Sequence, residues 1–186
     1  MKYVIEHLED ELYEWCIIEY RHISKIVGKD NLIFTNIKTN DAERIKDIGK
    51  CYQQKVSELK LKKACVLDPE AEKTLNPDDS KNFEYLVFGG ILGDHPPKQR
   101  TKKELAVQGA ERRNIGKEQF STDNAAAVCR NIVSGIPIEK MKFIENIEID
   151  IAEGESVQFP FKYLIVAGKP LVSEELIQYM KENEGF

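Results

Sequence analysis

The chain has 186 residues, 41% hydrophobic and 32% charged, with a net charge of −5; it is long enough for one domain with a sizeable core and is not basic overall. Its start, Met1-Lys-Tyr-Val-Ile, lacks the charged, apolar and cleavage regions of a secretion signal, and no run of 18 apolar residues occurs, so a soluble cytoplasmic protein is expected. Cys16, Cys51, Cys65 and Cys129 form no Cys-x-x-Cys pair, and His7, His22 and His95 show no ligand spacing, which supports neither a disulfide framework nor a metal site.

Tyr3 to Glu6 reads as a strand and Asp10 to Val27 as a long helix that Gly28 stops. Leu12, Trp15, Cys16, Ile23, Ile26 and Val27 share the apolar side of that helix, and Glu19 interrupts it. Leu32 to Thr35 is the next strand, a polar helix is expected within Asp41 to Leu61, and the strand Ala64 to Leu67 is closed by Asp68-Pro69. Asp68 to Asn82 and Pro96 to Lys103 read as loops.

Tyr85-Leu-Val-Phe-Gly-Gly-Ile-Leu-Gly-Asp-His-Pro-Pro97 is an apolar run of the kind that fills a parallel sheet, followed by glycines, an acid, a histidine and two prolines. Open α/β sheets bind ligands at the carboxyl ends of such strands. Gly89, Gly90 and Gly93 lack the side chain that would keep a ligand from the main chain, or else make a tight turn. Pro96 and Pro97 forbid an immediate helix, so this is not a pyrophosphate cradle. Downstream, Ser121-Thr-Asp-Asn caps a helix carrying Ala125, Val128, Cys129, Ile132 and Val133, ending at Gly135. Strands within Met141 to Ile151 and Val157 to Val166, then a helix from Ser173 to about Glu182, complete an α/β order of one domain, residues 1–186.

Two neighbouring motifs resemble those of SPOUT methyltransferases: Phe88-Gly-Gly-Ile-Leu-Gly-Asp, and Arg112-Arg-Asn-Ile-Gly-Lys-Glu-Gln-Phe-Ser-Thr-Asp-Asn-Ala-Ala. Tyr3-Val-Ile-Glu-His, Glu14-Trp-Cys-Ile-Ile-Glu-Tyr20, Val66-Leu-Asp-Pro69 and Phe159-Pro-Phe-Lys-Tyr163 narrow this to one branch. The chain resembles the SPOUT protein arginine methyltransferases of fungi and their archaeal relatives, earlier described as predicted RNA methyltransferases. That resemblance implies an α/β parallel sheet with helices on both faces and a deep trefoil knot, a feature nearly absent from other proteins. It implies S-adenosylmethionine contacts from Leu67, Asp68 and Pro69, from Phe88, Gly89, Gly90, Ile91, Leu92, Gly93 and Asp94, and from Ile115, Gly116, Gln119, Ser121, Thr122 and Asp123. It also implies a monomer rather than the dimer many SPOUT proteins form around the knot.

Methyl transfer from a sulfonium chiefly requires alignment of a nucleophile, with no metal. A guanidinium is charged and a poor nucleophile, so carboxylates should orient it; Asp94, Glu19 and Glu6 are the candidates, set against a reading of Glu6 and Glu19 as ordinary solvated acids. Ser121, Thr122 and Asp123 read both as caps and as part of a helix start whose amides receive a ligand carboxylate. Lys98 to Lys117 holds seven basic and two acidic residues, leaving −10 on the rest of the chain. That patch meets RNA backbone or is a solvated face. The expected activity is methylation of an arginine in a ribosomal or similar protein, with RNA methylation and a non-catalytic, cofactor-binding role in ribosome assembly as alternatives.

Overall fold

The computed structural model describes residues 1–90, 105, 107–152 and 154–183. Its centre is a six-stranded, wholly parallel sheet of β1 (Lys2–His7), β2 (Leu32–Thr35), β3 (Lys50–Cys51), β4 (Ala64–Leu67), β5 (Tyr85–Gly90) and β6 (Glu111–Arg113), in the order β3-β2-β1-β5-β4-β6. The apolar runs of β1, β4 and β5 are buried on both faces, as an interior parallel strand requires. The chain builds outward from β1 through β2 to β3, then returns on the other side of β1. The order therefore reverses between β1 and β5, and the carboxyl ends of both meet there, Glu6 opposite Gly89 and His7 opposite Gly90.

One face packs against α1 (Glu14–Val27), α2 (Thr39–Ile45) and α3 (Thr122–Val133), whose Ile17, Tyr20, Ile23, Ile45, Val128 and Ile132 meet Ile5, Phe34, Leu86 and Phe88 in the main core. Among the described residues the other face is covered by the 3-10 turn Val56–Leu59 and by Leu105, packed with Val4, Ala64, Val66 and Val87. The antiparallel strands β7 (Phe143–Ala152), β8 (Glu155–Val166) and β9 (Lys169–Pro170) form a second sheet. With α4 (Glu174–Glu182) it encloses a smaller core of Ile147, Phe159, Tyr163 and Met180, onto which Trp15 packs.

Three elements differ from the expected ones. α1 begins at Glu14 rather than Asp10, because the carbonyls of Asp10 and Leu12 accept from Lys38 Nζ (2.6 Å) and Arg44 Nη1 (2.7 Å) instead of helical amides. The helix expected within Asp41 to Leu61 shrinks to α2 before the chain turns back along β2. At Gly49 it passes so near that a Cβ would lie 2.7 Å from the Phe34 ring. The edge strand β6, with the charged sequence Glu-Arg-Arg, carries no alternation by which to anticipate it. It is held by Arg113, which donates to both Asp79 oxygens at 3.1 Å and lies over Phe83, fastening the loop after β4 to the sheet.

Gly89 and Gly90 complete β5 in extended form, so the freedom of glycine to turn is not what either supplies. At Gly90 the missing side chain serves close packing. A Cβ there would stand 2.4 Å from the Tyr20 hydroxyl and 2.9 Å from Ile5 Cγ2, inside the core rather than in ligand space. Gly90→Ala should therefore cost about 1–3 kcal/mol by overpacking. In a Tyr20→Phe background, where the hydroxyl is gone, the same change should cost less than half as much, as read by a urea-denaturation double-mutant cycle.

Candidate cofactor and acceptor site

β5 is shared unequally by its neighbours. It stays in register with β1 through Gly90, but its ladder with β4 ends at Val66 opposite Val87, although both strands continue. β4 leans instead toward β6, pairing Leu67 with Arg113 and donating from the Asp68 amide to the Arg113 carbonyl at 2.9 Å. The ladder thus ends short of the carboxyl edge, leaving Phe88–Gly90 and Leu67–Pro69 unpaired with one another near the reversal of strand order where such sheets take ligands. Ile115 and Gly116 follow β6 on the far side of β4; Gly116, at φ +113°, donates to Asn114 Oδ1 at 3.1 Å. The side chains of Leu67, Phe88 and Ile115 are buried in the main core, so main-chain groups are what these positions present at the edge. Ile91, Leu92, Gly93 and Asp94 lie outside the described residues.

The start of α3 is occupied from within the chain. The Thr122 amide donates to Glu19 Oε1 (2.9 Å) and the Asn124 amide to Asp123 Oδ1 (2.7 Å), so these amides are not left for a ligand carboxylate as the sequence suggested. Ser121 caps without bonding a helix amide: its hydroxyl donates to Asp123 Oδ1 (2.5 Å). Asp123 Oδ2 meets His22 Nδ1 at 2.6 Å. Gln119 lends its carbonyl to the Lys162 amide (2.8 Å) and so joins this turn to β8. Glu19 and His22, one turn apart on α1, thus close on α3 from one side. Burial raises the pKa of Glu19 above its ordinary 4.5, and the Asp123 charge adds to this; the Thr122 and Asp123 amides oppose it.

Two expected site acids are structural. Glu6 Oε2 accepts from Thr35 Oγ1 (2.5 Å) and the Val56 amide (2.7 Å), and the residue is 2% exposed on the face away from α1. It ties β1, β2 and the Val56 turn together and is not offered to an acceptor. Asp68 accepts from Arg112 Nη1 (2.6 Å) and the Glu70 amide (3.0 Å), so each of its carboxylate oxygens is bonded within the chain. The same pairing removes Arg112 from the basic segment, and Arg113 is likewise buried against Asp79 and Glu111.

His7, which shows no ligand spacing in the sequence, stands at the reversal point. Its Nδ1 meets the Tyr20 hydroxyl at 2.9 Å, while its buried Nε2 makes no well-formed hydrogen bond among the described residues. Burial lowers its pKa; the Glu11 carbonyl, Glu9 and Asp41 pull it up, and Lys38 lowers it. Only its place at the end of a central strand could have marked it in the sequence.

A six-stranded, wholly parallel α/β sheet whose order reverses at its central strands is the class of protein this geometry defines. A Trm10 from Thermococcus kodakaraensis shares that fold, with a TM-score of 0.59 at 19% identity over 75% of this chain and 96% of its own. The sequence matches the family described as "Protein arginine N-methyltransferase SFM1-like" over residues 2–185, and the chain belongs to that family. Protein arginine N-methyltransferase SFM1 of Saccharomyces cerevisiae is 36% identical over 203 residues, which cover 98% of this chain and 95% of the yeast protein. The crystal structure of yeast SFM1 complexed with SAM superposes with a TM-score of 0.88 at 34% identity, covering 97% of this chain and 90% of that one.

A carboxyl group whose folded pKa is raised favours the folded state below its unfolded pKa, and that contribution fades as pH rises through the folded value. Stability should accordingly fall from Glu19 as pH climbs above about 4.3 toward the alkaline side. Glu19→Gln, which keeps an acceptor for the Thr122 amide, should flatten that slope; thermal melts at pH 5 and pH 8.5 measure it. Parallel slopes for the two proteins would show Glu19 fully ionised in the fold.

Proposed function

We propose that the chain is an S-adenosylmethionine-dependent protein arginine methyltransferase whose acceptor is an arginine of a ribosomal or similar protein. The observation that carries this is the chain's membership of the SFM1-like family, and the end of the β4–β5 ladder short of the carboxyl edge supports the placing of the cofactor there. The cofactor contacts are assigned to Leu67–Pro69, to residues 88–94 and to Ile115, Gly116 and Gln119, with Ser121, Thr122 and Asp123 shaping the turn behind them. Bound there, S-adenosylmethionine supplies the methyl group as an electrophilic carbon.

The protein's task is to hold the acceptor nitrogen in line and to stabilise its charge. Glu19 and Asp94 are the assigned acids. Glu19 is fixed by α3, which removes the cost of ordering it when an acceptor arrives. A trefoil knot belongs to this reading: residues 114–121 lead from the far edge of the sheet to α3, and the knot requires that stretch to pass through a loop. A monomer is also part of it, since the exposed large apolar side chains Tyr13, Ile136, Ile144 and Val166 are spread over separate elements. The RNA alternative is disfavoured by Arg112 and Arg113, which spend their charge on Asp68, Asp79 and Glu111 rather than on a phosphate surface.

The purified chain should bind S-adenosylhomocysteine near one per chain by calorimetry. With radiolabelled cofactor and extract from a strain lacking the enzyme, the label should survive nuclease, vanish with protease and return on acid hydrolysis as methylarginine. Label recovered as a modified nucleoside would replace this reading with RNA methylation. Binding without transfer would leave a non-catalytic protein.

A further inference from the structure

Lys162 stands in the second half of β8, its side chain 18% exposed, and it binds the segment before α3 with main chain and side chain together. Its amide donates to the Gln119 carbonyl at 2.8 Å, and the residue forms a parallel bridge with Phe120. Its ammonium lies 3.1 Å from Glu118 Oε2 and 3.9 Å from Glu145 Oε1 on β7. It is also 4.9 Å from the ring centroid of Phe143 and 5.8 Å from that of Phe120, two rings that meet edge to face at 5.7 Å. An ammonium drawn partly out of water keeps such a place because ring faces and carboxylates replace its hydration.

Two residues further on, β8 grips the helix start itself. The Leu164 amide donates to Asn124 Oδ1 (2.9 Å), and Asn124 Nδ2 donates to the Leu171 carbonyl (2.9 Å) and to Ser121 Oγ (3.0 Å). The antiparallel layer therefore holds the chain on both sides of Ser121 and Thr122, and the Thr122 amide is the group that holds Glu19 Oε1. Facing Glu19 are Cys16 and His22 from its own helix, Asp123 from α3, and the buried Tyr163 from β8, on which both acids act. A glutamate side chain has several free torsions, so its order depends on the α3 turn staying where β8 puts it.

We propose that the antiparallel layer is the mount of the acceptor acid, with Lys162 as the positioning residue that seats the turn before α3 and so holds Glu19 in one place for an incoming guanidinium. This rests on the arginine methyltransferase reading and adds to it a residue that acts through the α3 turn. It also gives the Phe159-Pro-Phe-Lys-Tyr163 motif a division of labour: Phe159 receives Trp15, Lys162 seats the turn, and Tyr163 backs the acids.

The test titrates the full chain, isotopically labelled in its glutamate carboxyl groups, by nuclear magnetic resonance; the Glu19 signal is the one absent from Glu19→Gln. Burial and the Asp123 charge, the two largest influences, both raise the Glu19 pKa, so a loosened turn lets it fall even though the amides that oppose them are lost as well. Lys162→Met, which keeps an apolar stem against the rings, should lower the Glu19 midpoint by about 1 on the pH scale. Lys162→Arg, which keeps the charge and stacks on both rings, should return it to within about 0.3 of wild type. Glu118→Gln, at an exposed position, cuts only the ion pair and should move the midpoint the same way by less; it serves in place of Lys162→Met if that variant does not fold. Lys169→Met, which removes an exposed cation from β9, should leave the midpoint where it is. An unmoved midpoint in Lys162→Met and Glu118→Gln, a fall that arginine does not repair, or an equal fall in Lys169→Met overturns the mount. In the methyl-transfer assay Lys162→Met should lose about tenfold in rate, most of it restored by arginine. The titration is read on the free chain, so absence of transfer by the wild type bears on the activity, and the mount is decided by the titration.

Discussion

The strand β5 cannot stay paired with both of its neighbours to its end. It follows β1, and β4 follows β6, so the edge of the sheet parts between them. Both sides of the parting are held by side chains that a hydropathy reading places on the surface. Arg113 clasps Asp79 to keep β6 and the loop after β4 in place, and Glu6 binds β1 to β2 and the Val56 turn. Buried pairs of this kind contribute little beyond a well-packed apolar substitute, but leaving either member alone costs several kcal/mol. What they supply here is position.

Carboxylates accordingly divide into two groups that composition cannot separate. Glu6, Asp68, Asp79 and Asp123 are nearly inaccessible and satisfied by donors within the chain. Glu11 and Asp41 line a cleft, where among the described residues Asp41 has one long ion pair with Arg44 (3.9 Å) and Glu11 has none. Glu19 stands between the groups, half-buried, bonded to the Thr122 amide and pressed by the Asp123 charge. A cation brought close to it would relieve that repulsion.

The regular part of the fold was legible because it obeys simple periodicities. The strands Tyr3 to Glu6, Leu32 to Thr35 and Ala64 to Leu67 agree with the observed β1, β2 and β4 to within a residue or two, and α3 begins where its caps indicate. The loop 8–13 was lost to α1 because long-range bonds from Lys38 and Arg44 override local helix preference there. β6 was lost because its inward residue is an arginine, and only the distant Asp79 makes that burial tolerable. At the carboxyl edge, the strand ends at Leu67 and after Phe88 were readable from the chain to within two residues, as was the acid that follows β4. Their manner of use was not: Gly90 serves Tyr20, Asp68 serves Arg112, and the amides of α3 serve Glu19. Each depends on a partner at least 40 residues away, beyond any local pattern.

The single tryptophan of the chain sits where α1 meets the antiparallel hairpin, its ring 6.2 Å from that of Phe159. Its neighbours belong to the smaller core of Ile147, Phe159, Tyr163 and Met180, not to the apolar centre of the parallel sheet. The indole is thus a built-in optical gauge of one joint. Its emission registers the hairpin lifting from α1, and circular dichroism registers the loss of the sheet itself. Where the two signals separate during denaturation, they resolve the release of the carboxyl-terminal layer from the melting of the parallel-sheet layer.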